Sequence, residues 1–188
     1  NIRVANLRQI PHNINNEENL YIPKDCDENL VEKVKNLPVN VGVEVPRGIF
    51  GKENKVKELL SVFKKCGINT AYCSTLDALA IARELKMEIH TGFSMNVFNS
   101  LSVGVLESFD VKEITLSPEL TLNRIAKVGG RAKRGIIGYG RLPLMLTRNC
   151  PIRNGKTCTE CKSDSYLTDR MGMKFPVVCK MGTSEILN

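Results

Sequence analysis

The feature of this 188-residue chain that most limits its possible folds is a repeated alternation of strand-like and helix-like segments after residue 38. Short β-prone segments end at proline, glycine or polar residues, and apolar residues at helical spacing follow each of them. Because strands alternate with helices at roughly 20–25-residue intervals, we predict parallel βαβ units. The predicted strands are Val39–Val45, Asn69–Cys73, Met87–Thr91, Lys112–Leu116 and Arg134–Tyr139.

The helices between these strands have typical start and stop residues. The predicted helices are Asn54–Lys65, Leu76–Lys86, Asn96–Ser108 and a fourth that begins at Ser117-Pro118-Glu119 and ends at Gly129-Gly130. Asn96 and Ser117 are favourable N-cap residues, and we expect capping to be their main role.

Parallel βαβ units either close into an eight-stranded barrel or lie in an open doubly wound sheet. The chain has no glycine-rich phosphate loop of the G-x-G-x-x-G or Walker type, which disfavours a nucleotide-binding sheet. Five or six strands are too few for a full barrel. We therefore predict an α/β fold whose parallel βαβ units form a partial TIM-barrel-like domain with a Cys-rich metal-binding tail.

This pattern divides the chain into three segments. Residues 1–38 form a lead-in, with a weakly predicted strand at Ile2–Ile10 and a helix at Asp27–Leu37. Residues 39–141 contain the βα repeat, and residues 142–188 form the cysteine-rich segment.

Four of the seven cysteines lie in the C-terminal segment with the spacing C-x7-C-x2-C-x17-C. They are Cys150, Cys158, Cys161 and Cys179. A C-x2-C pair places two thiolates on one turn, and two further sulfurs complete a four-sulfur site that suits zinc or an iron–sulfur cluster. Two disulfides, which need an oxidising compartment, and unrelated buried thiols are the alternatives. Cys26, Cys66 and Cys73 have no assigned role, and core packing is the default for the last two.

Polar residues gather at the carboxyl ends of the predicted strands, where parallel α/β proteins place their chemistry. They include Glu44, Arg47, His90, Asn96, Asn99, Ser117, Glu119 and Arg141. Such a cluster can bind an anionic or polar ligand, although Glu119 also suits a helix dipole and a lone histidine is often structural. No serine–histidine–acid, H-E-x-x-H or Cys–His signature is formed by local motifs, so spacing does not support peptidase chemistry.

The formal net charge of +7 permits contact with nucleic acid, and the densest basic run is Lys127–Arg141. A solvated basic surface is the plainer explanation of this run. No apolar run approaches the roughly eighteen residues that span a bilayer, and the start of the chain lacks a signal-type apolar core. We expect a fragment of a longer cytoplasmic polypeptide without a membrane partner.

Several segments carry a family resemblance over roughly residues 39–188. These segments are NVGVEVPRGIFGKE (Asn40–Glu53), IHTGFSMNVFNS (Ile89–Ser100), ITLSPELTL (Ile114–Leu122), YGRLPLMLTRNCP (Tyr139–Pro151), DR-x-G-x-x-FPV (Asp169–Val177) and SEILN (Ser184–Asn188). Together they resemble peptidase family U32, the collagenase-like peptidases.

The resemblance implies an enzyme. Several family members look like oxygen-independent or prephenate-dependent hydroxylation factors that act on ribosomal RNA, transfer RNA or the ubiquinone ring and carry a 4Fe-4S cluster on four cysteines. In ubiquinone-pathway members the cluster cysteines follow a G-x-PLA-type segment, much as Cys150, Cys158 and Cys161 follow GRLPLM here. The fourth ligand, Cys179, is our inference from spacing.

We therefore expect an iron–sulfur-dependent RNA hydroxylation factor, with RNA, the rest of the parent polypeptide and prephenate or a similar small molecule as partners. The alternatives are a collagenase-like peptidase and a non-catalytic zinc-stapled module of a larger enzyme. The candidate catalytic residues are His90, Glu119 and Arg141. The candidate substrate-binding residues are Glu44, Arg47, Asn96, Asn99 and Arg148. The candidate metal ligands are Cys150, Cys158, Cys161 and Cys179.

Overall fold

A computed structural model describes residues 1–14, 18–23, 28–152, 165–180 and 182–188. The chain divides into two compact units, residues 1–137 and residues 138–188. No helix in the described ranges is both long enough and apolar enough to cross a membrane.

The first unit alternates strands and helices. Its elements are β1 (Ile2–Arg3), a 3-10 turn (Leu7–Gln9), β2 (Asn19–Pro23), α1 (Glu28–Lys35), β3 (Asn40–Glu44), α2 (Glu53–Lys65), β4 (Thr70–Cys73), α3 (Leu76–Glu84), β5 (Glu88–Thr91), a second 3-10 turn (Phe93–Met95), α4 (Ser100–Ser108), β6 (Val111–Thr115), α5 (Leu122–Ile125) and β7 (Lys133–Gly135). The seven strands lie side by side in chain order, and every neighbouring pair is parallel. The predicted α/β fold with a partial TIM-barrel-like domain is confirmed.

The two faces of this sheet differ in chemistry because successive residues of a strand point to opposite sides. One face is apolar and buried, with Leu20, Ile22, Val43, Ala71, Ile89 and Ile114. The helices add apolar residues to this core; α2, for example, buries Val56, Leu60 and Phe63 at the helical spacing seen in the sequence.

The sheet curls so that its polar face is concave. Asn19 of β2 and Glu113 of β6 are four strand spacings apart, which is roughly 19 Å in a flat sheet. Asn19 Nδ2 nevertheless donates a hydrogen bond to Glu113 Oε1 at 3.2 Å. Only strong curvature brings these two side chains together across the concave face.

Two predicted helix starts are wrong. Helix α4 begins at Ser100 with Asn99 as its N-cap, whose side chain accepts a hydrogen bond from Ser102 N at 2.9 Å. Asn96 instead adopts a left-handed conformation (φ +53°) at the end of the preceding 3-10 turn. The chain between them is held by tertiary contacts, because Val97 is buried and its carbonyl oxygen accepts from Ser117 N.

Ser117 does not cap a helix either. The predicted long helix after it is a single short helix, α5, with Thr121 at its N-cap position. Ser117 is buried, and its Oγ accepts from Glu119 N at 3.4 Å within a turn. The last predicted strand, Arg134–Tyr139, is likewise reduced to β7, and the predicted strand Ile2–Ile10 is reduced to β1. Asp27, the first residue of the predicted helix Asp27–Leu37, lies outside the described residues.

The second unit is an antiparallel sheet in the order β8-β11-β10-β9. Its strands are β8 (Pro143–Thr147), β9 (Tyr166–Thr168), β10 (Lys174–Lys180) and β11 (Thr183–Leu187). A tight turn joins β9 to β10, because Asp169 Oδ1 accepts hydrogen bonds from Met171 N and Met173 N and Gly172 takes a positive φ of +82°.

Candidate functional site

The concave face of the parallel sheet carries a layer of polar side chains. Backbone register places these residues at one level on five neighbouring strands: Glu44, Tyr72, His90, Glu113 and Lys133. The corresponding space in a TIM barrel is usually filled by bulky branched apolar residues. A polar layer in this position therefore marks a candidate functional site.

A cavity of about 160 Å³ opens on this layer. It is lined by Asn1, Tyr21, Tyr72, His90, Thr91, Glu113, Ile114, Thr115, Lys133, Arg134 and Gly135. At roughly 30 Å³ for each water molecule of the liquid, the space is equivalent to about five waters. It is large enough for a small organic molecule or a single functional group of a larger one.

His90 is the centre of the polar layer. Its ring is buried, and Nδ1 lies 2.6 Å from Tyr21 Oη and 3.7 Å from Glu113 Oε2. The other ring nitrogen, Nε2, lies 2.8 Å from Glu88 Oε1. A carboxylate on one nitrogen and a hydroxyl on the other is the arrangement by which histidine exchanges protons with a neighbouring reactive group.

Two tyrosines line the cavity beside His90. The rings of Tyr21 and Tyr72 have their centroids 4.6 Å apart, and the ring of Tyr21 meets that of His90 edge to face. Burial, reinforced by the nearby charge of Glu113, raises the pKa of Tyr21 far above its ordinary value. Burial also raises the pKa of Tyr72, although a hydrogen bond with Thr115 opposes the shift. Both phenols therefore remain protonated at neutral pH.

Glu113 is held by several polar partners. Its carboxylate accepts hydrogen bonds from Asn1 Nδ2 at 2.7 Å and Asn19 Nδ2 at 3.2 Å, and Lys133 Nζ lies at 3.5 Å. Burial acts to raise the pKa of Glu113, but the hydrogen bond from Asn1 and the charges of His90 and Lys133 outweigh it and lower the pKa overall. Glu113 therefore brings a negative charge to the cavity.

Glu44 belongs to the same layer. It is buried at the end of β3 and forms an ion pair with Arg3 at 3.6 Å. The Arg3 guanidinium also lies 6.0 Å from the centre of the Tyr72 ring. Of the residues predicted from the sequence to bind or act on a substrate, the structure brings Glu44 and His90 together in this layer.

The other predicted site residues of the first unit lie elsewhere. Arg47 is half-buried with its guanidinium 5.6 Å from the centre of the Phe93 ring. Asn99 caps α4, and Asn96 and Glu119 are exposed. None of these four residues lines the cavity.

Tyr21, Tyr72, Glu88 and Glu113 were missed by the sequence reasoning. Buried parallel strands usually read as nearly continuous apolar runs. The segments EIHT (Glu88–Thr91) and VKEIT (Val111–Thr115) instead alternate polar and apolar residues. This alternation within a parallel sheet was the available signal for a polar interior.

The second unit brings two of the predicted metal ligands to one edge of its sheet. Strands β8 and β10 run in the same direction on either side of β11, and register aligns Thr147, Ser184 and Cys179 across them. Cys150 follows Thr147 by three residues, so both cysteines lie near the carboxyl ends of β8 and β10. Cys179 Sγ is 3.5 Å from Ser184 Oγ.

Cys158 and Cys161 lie outside the described residues, as does Cys26. The described chain resumes at Ser165, whose carbonyl oxygen accepts a hydrogen bond from Val177 N of β10. Within the described ranges no three His, Cys, Asp or Glu side chains form a metal-binding group. The described part thus supplies two thiols at one edge, a donor type that fits an iron–sulfur or zinc site.

Two arginines accompany this segment. The Arg141 guanidinium donates to the carbonyl oxygen of Asn188, and Arg148 is exposed directly after β8. This hydrogen bond therefore links Asn188 to the segment that directly precedes β8.

Comparison with known proteins gives two matches. The model of the family described as peptidase family U32 matches residues 39–160. A protein from Methanocaldococcus jannaschii, described as an uncharacterized protease, is 32% identical over 116 residues, which are 62% of this chain and 27% of that protein. The chain thus spans about a quarter of the length of the curated relative it matches.

Proposed function

The chain belongs to peptidase family U32, and from this membership we propose that it is part of an enzyme that hydroxylates RNA with a 4Fe-4S cluster as cofactor. The observation that carries the proposal is the position of Cys150 and Cys179 at the same edge of one small sheet. Thiols that are 29 residues apart in sequence approach one edge only because β8 and β10 run in the same direction.

The proposed cluster ligands are Cys150, Cys158, Cys161 and Cys179. Four thiolates suit a 4Fe-4S cluster, which supplies one-electron chemistry when it is bound. Cys179 is exposed and Cys150 is partly exposed, so both are accessible for loading with iron and sulfide.

The proposed RNA contacts are basic side chains. In the first unit, Lys127, Arg131, Lys133 and Arg134 are all exposed, and in the second unit Arg148 is exposed. Exposed lysines and arginines contact phosphates without reading sequence, and they supply much of the affinity for nucleic acid. The net charge of +7 favours the same partner.

The rest of the parent polypeptide and a small molecule such as prephenate belong to the proposal as partners.

The test compares RNA from cells that lack the gene for this chain with RNA from cells that regain it. We expect one nucleoside to gain the mass of one oxygen atom with the wild-type gene and with Cys66→Ser, and not with Cys150→Ser or Cys179→Ser. Cys66 is a matched control because it lies at the C-terminal end of α2, in the other unit. The proposal is contradicted if the oxygen is still added without the gene, or with both Cys150→Ser and Cys179→Ser.

The printed description of the M. jannaschii relative favours a peptidase as the second candidate. In the described part of the chain, however, the His90 nitrogens face Tyr21, Glu113 and Glu88, and no serine, threonine or cysteine bonds to them. Burial, with a smaller contribution from Asp77, raises the pKa of the Cys73 thiol to about 12, which makes it a poor nucleophile. Gelatin cleavage by the purified chain that is lost in His90→Gln would establish the peptidase instead.

A further inference from the structure

The carboxylate of Glu113 has all of its hydrogen-bonding positions filled by side chains of the first unit. Asn1 Nδ2 and Asn19 Nδ2 donate to it at 2.7 and 3.2 Å. The Tyr21 hydroxyl also forms a hydrogen bond with it, and Lys133 Nζ lies at 3.5 Å. Because a carboxylate has about four lone-pair positions, these partners satisfy Glu113, and the charge of Lys133 offsets its own.

The rest of the cavity lining is cationic. Among the described residues that line it, Glu113 is the one carboxylate, whereas Lys133 and Arg134 both carry positive charge. The Lys133 side chain is 83% exposed, so its ammonium group reaches the opening of the cavity. The Arg134 guanidinium is held beside β7 because it donates to the carbonyl oxygens of Gly130 and Ala132 at 2.8 and 3.2 Å. The lining therefore has an excess of positive charge.

Tyr72 and Thr115 add a hydroxyl donor to this lining. Their side chains share a hydrogen bond, and burial raises the pKa of Tyr72, which keeps the phenol protonated. Two hydroxyl groups carry two hydrogens, and the bond between them uses one. Within the described part of the chain the second hydrogen has no acceptor, so this pair can donate to a ligand.

The cavity is open next to these donors. Thr115 and Gly135 are partners in the ladder between β6 and β7, one level beyond Glu113 and Lys133. Gly135 has no side chain, and a Cβ atom at this position would have no neighbour within 4 Å. A ligand can therefore lie beside Gly135 with the lysine and the hydroxyl pair around it.

We propose that the cavity binds the carboxylate group of a small organic acid, and that Lys133 and the Tyr72–Thr115 hydroxyl pair donate hydrogen bonds to its oxygens. The inference goes beyond the proposed function, which assigns no ligand to this cavity. It rests on residues of the first unit alone. Because binding is measured without RNA and without a cluster, its failure and the failure of the proposed hydroxylase are distinguishable.

The size of the cavity favours a small acid over an RNA phosphate. A volume of about 160 Å³, equivalent to about five waters, admits a carboxylate with a few carbon atoms. A phosphodiester of RNA carries a nucleoside on each side, which this space does not hold. Hydrogen bonds from an ammonium and a hydroxyl to a carboxylate are charge-assisted and therefore strong for their number.

The test uses NMR of the whole chain labelled with ¹⁵N-histidine, at constant pH and ionic strength. The chain has two histidines; His90 lines the cavity, and exposed His12 reports any drift of pH. Acetate is the probe. Acetamide has the same shape without the charge, and dimethyl phosphate represents the RNA backbone, so these two compounds are the control ligands.

We expect acetate to shift the His90 resonances in a saturable way with no change at His12, and the two control ligands to bind at least about tenfold more weakly. Lys133→Gln should lower the affinity for acetate about tenfold, because a charge-assisted hydrogen bond is lost. Lys112→Gln is the matched control, because Lys112 is an exposed lysine of the neighbouring strand that pairs with Asp110 and does not line the cavity. It should bind acetate like the wild type.

The hydroxyl pair is tested by a double-mutant cycle. Tyr72→Phe and Thr115→Val each leave one hydroxyl with its hydrogen available, so each should weaken acetate binding less than the double variant, which should lose about tenfold. If the double variant does not fold, Lys133→Gln at its exposed side chain decides the matter. The proposal is overturned if acetate gives no saturable shift, if either control ligand binds as tightly, or if Lys133→Gln or a folded double variant binds acetate like the wild type.

Discussion

Tyr21 and His90 lie on β2 and β5, three strand spacings apart in the sheet, yet Tyr21 Oη is 2.6 Å from His90 Nδ1. In a flat sheet the two strands would be roughly 14 Å apart. The contact therefore depends on the curvature of the sheet, and it joins β2 to β5 across the concave face. Any change that flattens the sheet or displaces either ring should alter the whole polar layer.

The phenolic hydroxyl of Tyr21 should contribute to stability. Tyr21→Phe removes the hydroxyl group that lies 2.6 Å from Nδ1 of buried His90, so this nitrogen loses that hydrogen bond. We expect the free energy of unfolding to fall by about 1–2 kcal/mol. Tyr139→Phe, at a fully exposed side chain, should change it by less than about 0.5 kcal/mol. Equal effects in urea denaturation would show that the Tyr21–His90 contact has no energetic role.

Gly42 leaves room for the Tyr21 ring. A Cβ atom at residue 42 would lie 2.9 Å from Tyr21 Cδ1 and 3.2 Å from the Thr70 carbonyl oxygen. Gly42→Ala should therefore destabilise the chain by about 1–3 kcal/mol, since the Tyr21 ring is buried and has little freedom to shift.

Gly104→Ala is the matched control for Gly42→Ala. Gly104 lies within α4, and a Cβ atom there has no neighbour within 4 Å. The substitution should stabilise the chain by about 0.5–1 kcal/mol, because alanine favours a helix more than glycine does. The midpoint temperature of thermal unfolding should fall in Gly42→Ala and rise in Gly104→Ala. A shift of both midpoints in the same direction would contradict the packing described for Tyr21.

Two of the four tyrosines, Tyr21 and Tyr72, should resist ionisation on alkaline titration. Tyr139 and Tyr166 are exposed, whereas burial raises the pKa of Tyr21 and Tyr72. The folded chain keeps the last two protonated while the unfolded chain releases these protons near pH 10. Their contribution to stability is thus complete below about pH 10 and is lost as the pH rises further.

Ultraviolet absorbance of tyrosinate measures this titration. We expect the absorbance change that Tyr21 and Tyr72 contribute to be missing while circular dichroism remains that of the folded chain, and to develop only on unfolding. Ionisation of all four tyrosines in a folded chain would show that the cavity is open to hydroxide and that Tyr21 is an ordinary surface phenol.

RNA binding should depend on the exposed basic run of the first unit. Lys127→Ala removes one exposed charge, and if that lysine contacts a phosphate of single-stranded RNA the slope of log affinity against log salt should fall by about 0.7. Lys57→Ala is the control, because Lys57 forms an ion pair with Glu84 on a helical surface. Filter binding that shows the same salt slope for both variants would exclude Lys127 from the interface.

Periodicity predicted the parts of the fold that depend on local pattern. The strands β3 to β6 and the helices α2 and α3 appear close to their predicted bounds, because each has an apolar face of the right period and a clear end. Helices α4 and α5 do not begin at Asn96 and Ser117, the favourable cap residues that were predicted to start them. Val97 and Ser117 are bonded to each other between these helices, and such a tertiary contact has no signature in a single sequence.

The polar layer was only partly predictable for a related reason. Glu44 and His90 were identified because they lie at or near strand ends. Tyr21 lies in the middle of β2, which local patterns did not predict, and its partner is 69 residues away. Their contact follows from the order of strands and the curvature of the sheet, neither of which is encoded in a short motif.

Iron and acid-labile sulfide analysis of the anaerobically purified chain tests the central claim of a four-thiolate cluster most directly. We predict about four irons and four sulfides per chain with a brown colour, a marked loss of both in Cys150→Ser and Cys179→Ser, and wild-type content in Cys66→Ser. The claim would be contradicted by one zinc per chain without colour, if reconstitution with iron and sulfide also failed. It would equally be contradicted if Cys150→Ser and Cys179→Ser both retained their iron.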